Sequence, residues 1–220
     1  MKKVLLFLTV VAITTAAFSQ SERYQKAMSQ NIMAIDTTRT VEAWKELGNN
    51  FQRIADAEKT QWLAYYYAAM SHVMSGTMTG SLNGGMGGFA DKTDPEADQA
   101  EVLLNKAEEL GKVNSEILCV RKMIATLRMM ADPMNRYQTQ GALAAEALAK
   151  AKEMDPTNPR VYMLEAQDKF YTPEQFGGSK TEAKTLFEES KKLFETFKPG
   201  SALHPQWGKN QVDYFLSQMK

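Results

Sequence analysis

The chain is poor in the groups that build reactive centres. It holds one cysteine, Cys119, and two histidines, His72 and His204, in 220 residues. One thiol cannot form an internal disulfide, so packing must hold the fold together. A nucleophilic cysteine wants a neighbouring base, and Cys119 sits instead in the apolar run Ile117-Leu118-Cys119-Val120. No carboxylate pair falls in a recognisable motif, so no acid–base or nucleophile set stands out and the chain reads as a non-enzyme. Neither sign of charge is in excess, with 26 basic and 26 acidic residues. Without a basic stripe to release counterions, nucleic acid is a poor partner. No segment alternates apolar and polar residues with β-branched enrichment, which argues against sheet. Beyond the first residues, no run approaches the ~20 apolar residues of a membrane-spanning helix.

The N-terminus is present for another purpose. Lys2 and Lys3 precede the apolar stretch Val4–Ala17, and Ala17 and Ser19 supply small residues three and one before a cleavage point. Residues 1–20 are therefore expected to be a signal peptide, with no cysteine at its end to take a lipid. The expected mature chain, 21–220, is exported to the periplasm or beyond the cell, without stable membrane insertion. Losing Lys2 and Lys3 leaves 24 basic against 26 acidic residues, a balance near −2.

What is abundant is helical periodicity. Nine helices are predicted, near 22–34, 40–57, 60–74, 94–111, 115–131, 138–154, 159–171 and 179–197, with a last one opened by His204-Pro205 and carrying Trp207, Val212, Tyr214 and Phe215. Asp94-Pro95 reads as an N-cap followed by proline at the first helical position, and Asn158-Pro159 reads the same way. Ser179-Lys180-Thr181-Glu182 reads as a capping box. Gly76–Gly88 is glycine-rich but lacks the Lys-Ser/Thr ending of a phosphate loop and follows no strand. It reads as a loop that covers a groove or orders on a partner.

Three helices repeat one pattern: Ala100-x-x-x-Leu104-x-x-Ala107, Ala144-x-x-x-Leu148-x-x-Ala151 and Ala183-x-x-x-Phe187-x-x-Ser190. Small residues one turn from a large one let two helices approach closely. Together with the turn Asp155-Pro156-Thr157-Asn158-Pro159, this resembles the second helix of the tetratricopeptide repeat (TPR) and its exit. The spacing from Ala107 to Ala151 is 44 residues, against about 34 in the family. Trp44-x-x-Leu47-Gly48-x-x-Phe51 matches the family's first-helix signature. Three distributed matches outweigh that one and make its helix a second helix.

The resemblance implies an all-α, right-handed superhelix of about four antiparallel helix hairpins plus a C-terminal cap helix, spanning 21–220. First helices would line a concave face, with Leu63, Tyr67, Met70, Met123, Met163, Gln167 and Phe170 as groove residues for a protein or peptide partner. The long connections 75–93, 132–137 and 172–178 would share one edge as a second contact surface. The expected function is an exported non-enzymatic scaffold with no cofactor.

The alternative is a periplasmic ligand- or metal-binding accessory protein, such as a transporter-associated helical component or a Cu(I) binder using Met70-Ser-His72-Val-Met74. Helical geometry turns His72 about 160° from the midline of the two thioethers. The methionines then read as core and no metal ligands are assigned.

Overall fold

The computed structural model describes residues 22–219, so the expected signal peptide at 1–20 lies outside the described residues. The fold is all-α, with no strand among the described residues. The main helices are α1 (22–35), α2 (Val41–Glu58), α3 (Trp62–Leu82), α4 (Ala90–Gly111) and α5 (Ser115–Ala131). A short α6 (Pro133–Arg136) and a π-turn (Tyr137–Gly141) lead into α7 (Ala142–Met154). Then come α8 (Pro159–Tyr171), a 3-10 turn (Glu174–Phe176), α9 (Lys180–Thr196) and α10 (Lys209–Gln218).

Local chemistry accounts for most starts. Thr40, Asn114, Asn158 and Ser179 each stand in extended backbone, and their side chains accept from the backbone N–H of Ala43, Ile117, Arg160 and Glu182. The capping box is only half made. The Ser179 N–H donates to the Lys169 carbonyl at 2.9 Å, and Glu182 pairs with Lys169 instead.

Two expected boundaries move. Helix α4 starts at Ala90 rather than at Pro95, which lies inside it. Having no N–H, Pro95 cannot bond the Asp91 carbonyl. Burial of Phe89 and Thr93 outweighs that loss, and the Thr93 hydroxyl donates to the Phe89 carbonyl at 3.2 Å. Asp94 caps nothing; it pairs with Arg136 through two hydrogen bonds of 2.7 Å. Helix α3 likewise continues through the expected loop to Leu82. A Cβ at Gly76 would lie 2.5 Å from Leu127, and one at Gly80 2.9 Å from the Phe89 ring. These glycines admit close neighbours. The final helix begins at Lys209, after an irregular stretch that contains His204-Pro205.

Helix α3 packs along α4, α5 along α7 and α8 along α9, forming antiparallel hairpins. All nine residues of the repeated small-large-small pattern are buried. Equivalent contacts recur: the Ser115 hydroxyl at the start of α5 donates to the Ala151 carbonyl of α7 at 2.9 Å. Ser190 of α9 donates to the Pro159 carbonyl at the start of α8 at 2.8 Å. The first helices α3, α5 and α8 lie side by side, α5 also contacts α4, and α10 packs on α9. Among the described residues no helix is long and apolar enough to cross a membrane.

Candidate functional site

The seven residues expected to line a groove lie on α3, α5 and α8, but the structure does not leave that face open along its length. Leu63, Tyr67, Met70 and Met163 are buried, while Met123, Gln167 and Phe170 are half-buried. The cover is the chain's own C-terminal segment. Tyr67 donates its hydroxyl to the Leu203 carbonyl at 3.1 Å, and Gly208 lies against Met163. Gln167 donates to Gln211 at 3.3 Å, and the Phe215 ring meets that of Phe170 at 5.3 Å. Gly208 has φ +107, and a Cβ there would stand 3.0 Å from the Met163 sulfur, so both conformation and space call for glycine. Apolar surface read as open to a partner is thus satisfied from within. Leu63, Tyr67, Met70 and Met163, expected to line a peptide groove, therefore present almost no surface to a partner.

A buried polar hub anchors the segment. Arg160, fully buried, donates to Glu116 from Nε at 3.0 and 2.8 Å and from Nη2 at 2.5 Å. Its guanidinium stacks over Phe197 at 4.6 Å. Asn158 donates to Glu116 at 2.9 Å, and Tyr66 donates to it at 3.3 Å. Trp207 then donates its indole N–H to the Tyr66 hydroxyl at 2.8 Å. Burial works against the Arg160 charge, but the Glu116 carboxylate more than compensates and raises its pKa. Burial, and then Glu116, push the Tyr66 phenol well above its ordinary range.

Burial declines along each first helix toward its C-terminal end. On α3 the stripe continues from Met70 to Met74 and Met78; on α5 it runs through Met123 to Met130; on α8 it ends at Phe170. Met74, Met78, Met123 and Phe170 pack on the core yet keep exposed surface. Beyond them the loop edge carries exposed Met86, Met134, Tyr137, Tyr171 and Phe176. The Gly87 N–H donates to the Met130 carbonyl at 2.8 Å, tying the glycine-rich turn to α5. On α3, α5 and α8, which lie side by side, these thioethers and the Phe170 ring leave a strip of partly exposed, adaptable apolar surface. Lys122 and Lys169, which precede Met123 and Phe170 in the chain, are paired with Asp168 and Glu182, each at 2.6 Å. Lys180 stands 5.8 Å from the Phe170 ring centre.

Sequence reasoning missed Met74, Met78 and Met130 as members of this strip. Their signal was available, since they extend the Met70 and Met123 stripes at helical spacing. The hub had no local signal, because Glu116 and Arg160 are remote in the chain.

The other reactive groups face elsewhere. Nδ1 of His72 lies 2.8 Å from Glu96, and Lys45 lies 3.0 Å from the same carboxylate. Burial pushes the Glu96 carboxyl up, but its bonds to His72 and Lys45 outweigh this and hold it below the usual range. Nε2 of His72 is buried without a hydrogen-bond partner, beside Gly48 of α2. The imidazole is therefore turned toward α2 and α4. His204 is bonded to Ser201 at 2.8 Å and meets the Trp62 ring. Burial pushes the Cys119 thiol well up, so it is no thiolate. No group of three or more His, Cys, Asp or Glu residues is arranged to hold a metal among the described residues. A separate cleft of about 220 Å³ between α4, α5 and α7 has an apolar floor of Leu118, Ile124 and Ala147 under Arg121 and Arg128. It is smaller than the roughly 300–1,000 Å³ typical of small-molecule pockets.

No family model and no curated protein matches the sequence. Among solved structures, the HusA haemophore from Porphyromonas gingivalis resembles this chain with a TM-score of 0.76 and 36% sequence identity. The likeness covers 90% of this chain and 92% of that one.

Proposed function

The chain belongs to the family of the HusA haemophore, and from that premise we propose that it binds and carries haem or a closely similar planar macrocycle. The likeness over 90% of the chain is the observation that carries this reading. The site is the half-open strip of Met74, Met78, Met123, Met130 and Phe170, where a flat apolar ligand would cover partly exposed thioethers and rings. Binding is non-covalent and without chemistry, driven by apolar surface removed from water. A preformed strip on packed helices limits the entropy lost on docking. The leader-like residues 1–20 support an exported protein, and a ligand-binding role is of the class expected as the alternative to a peptide scaffold.

Haem titration followed by the Soret band tests the reading. Phe170→Ala should weaken haem binding about tenfold, the equivalent of about 1.4 kcal/mol, through loss of ring contact and area. No spectral change in the unaltered protein at large haem excess would overturn the proposal.

A second reading keeps a protein partner. The exposed loop edge favours it, with Met134 at 93% and Tyr137 at 63% exposure. In that reading the array is a right-handed TPR-like superhelix, supported by the buried small-large-small pattern, and its edge docks a partner. Phe170→Ala would then leave partner capture unchanged.

A further inference from the structure

Lys180 is a cation beside the Phe170 end of the strip whose charge no carboxylate answers among the described residues. Lys122 and Lys169 are each held by a carboxylate, and Lys191 and Lys209 share Asp213 at 2.9 and 3.0 Å. The ammonium of Lys180 instead rests over the Phe170 ring, 5.8 Å from its centre, with no carboxylate within 4.0 Å among the described residues. Its backbone is held at the start of α9 while its side chain is exposed. It follows Ser179, whose N–H bonds Lys169 and whose hydroxyl caps α9 at the Glu182 N–H. The charge thus stands at the end of the apolar strip, beside the aromatic ring that marks that end.

We infer that Lys180 determines specificity, selecting planar ligands that carry carboxylates along one edge. This rests on the haem reading and sharpens it. A macrocycle lying over Phe170 would displace the ammonium from the ring face and leave it beside the ligand's rim. A carboxylate there gains an ion pair and competes with no protein anion. An uncharged rim would leave the ammonium with only the weaker attraction of an aromatic face that the ligand now covers. Because the side chain is exposed, the pair is screened, so its effect is a preference among ligands and not the main source of affinity.

The test compares haem with its dipropionamide, which keeps the macrocycle and iron but removes both charges. Dissociation constants are measured for the unaltered protein, Lys180→Gln and Lys180→Arg at low and high salt. The unaltered protein and Lys180→Arg should favour haem over the diamide roughly two- to five-fold more than Lys180→Gln does. That margin should shrink at high salt. An identical haem-to-diamide ratio in all three proteins would overturn the inference while leaving the haem reading intact. Failure of both ligands to bind the unaltered protein would overturn the haem reading, and this inference with it.

Discussion

The two halves of the first-helix face are built from different residues and put to different ends. Toward the N-terminal ends of α3, α5 and α8 lie Tyr66, Tyr67, Glu116 and Arg160, sealed under the segment that carries Leu203 and Trp207. Toward the C-terminal ends lie Met74, Met78, Met123 and Phe170, which keep part of their surface in water. The sealed half is held by directional bonds between aromatic and charged groups. The open half has adaptable thioethers and a single ring cluster. Rigidity in one half supplies the fixed floor from which the other can present a surface, because an ordered neighbour keeps the strip from collapsing on itself.

The largest break in this contrast comes from Glu116→Ala. It strands the buried Arg160 guanidinium without its carboxylate, which should cost about 3–5 kcal/mol. For a chain of this size that lowers the melting temperature by roughly 6–20 °C. Thermal melting by circular dichroism reads this, and haem titration of the protein still folded at low temperature should give nearly unaltered affinity. A parallel collapse of haem binding would show that the halves are not separable.

Alkaline pH attacks the same end. Burial first, and Glu116 second, raise the phenols of Tyr66 and Tyr67. Burial and Glu58 raise Tyr24 to about 12. A raised folded value means that stability is complete below the ordinary tyrosine range near 10. It is lost as pH climbs through the folded values, because the unfolded chain releases protons that the native one retains. Phenolate absorbance from these three tyrosines should therefore rise together with loss of helical ellipticity above about pH 10. Phenolate formation by all three with the helices intact would contradict their burial.

The smallest test is Tyr67→Phe, which removes only the bond to the Leu203 carbonyl. It should cost about 1 kcal/mol and speed proteolysis in the stretch 198–206, with haem affinity unchanged. Limited proteolysis against a melting curve separates a loosened segment from a general loss of stability.

Local rules carried the sequence reading a long way. Thr40, Asn114, Asn158 and Ser179 cap where their side chains can reach an orphan N–H. Those contacts span three residues or fewer, so the sequence displays them. The small-large-small pattern likewise marks helix faces that must touch. The same rules failed at Asp94-Pro95, where burial of Phe89 and a partner at Arg136 outweighed a good capping signal. They also failed at Gly76 and Gly80, whose purpose is visible only once Leu127 and Phe89 stand beside them. The first-helix face was legible from Tyr67, Met70, Met163 and Phe170, but not what would cover it.

Helix identity, hairpin order and the apolar face were already determined by the order of residues alone, because each depends on periodicity and on bonds between near neighbours. The tertiary structure decided which part of that face stays open. That outcome turns on Leu203 and Trp207 meeting Tyr67 and Tyr66 of α3, 136 and 141 residues away in the chain, and closure over such distances leaves no imprint in any short stretch of sequence.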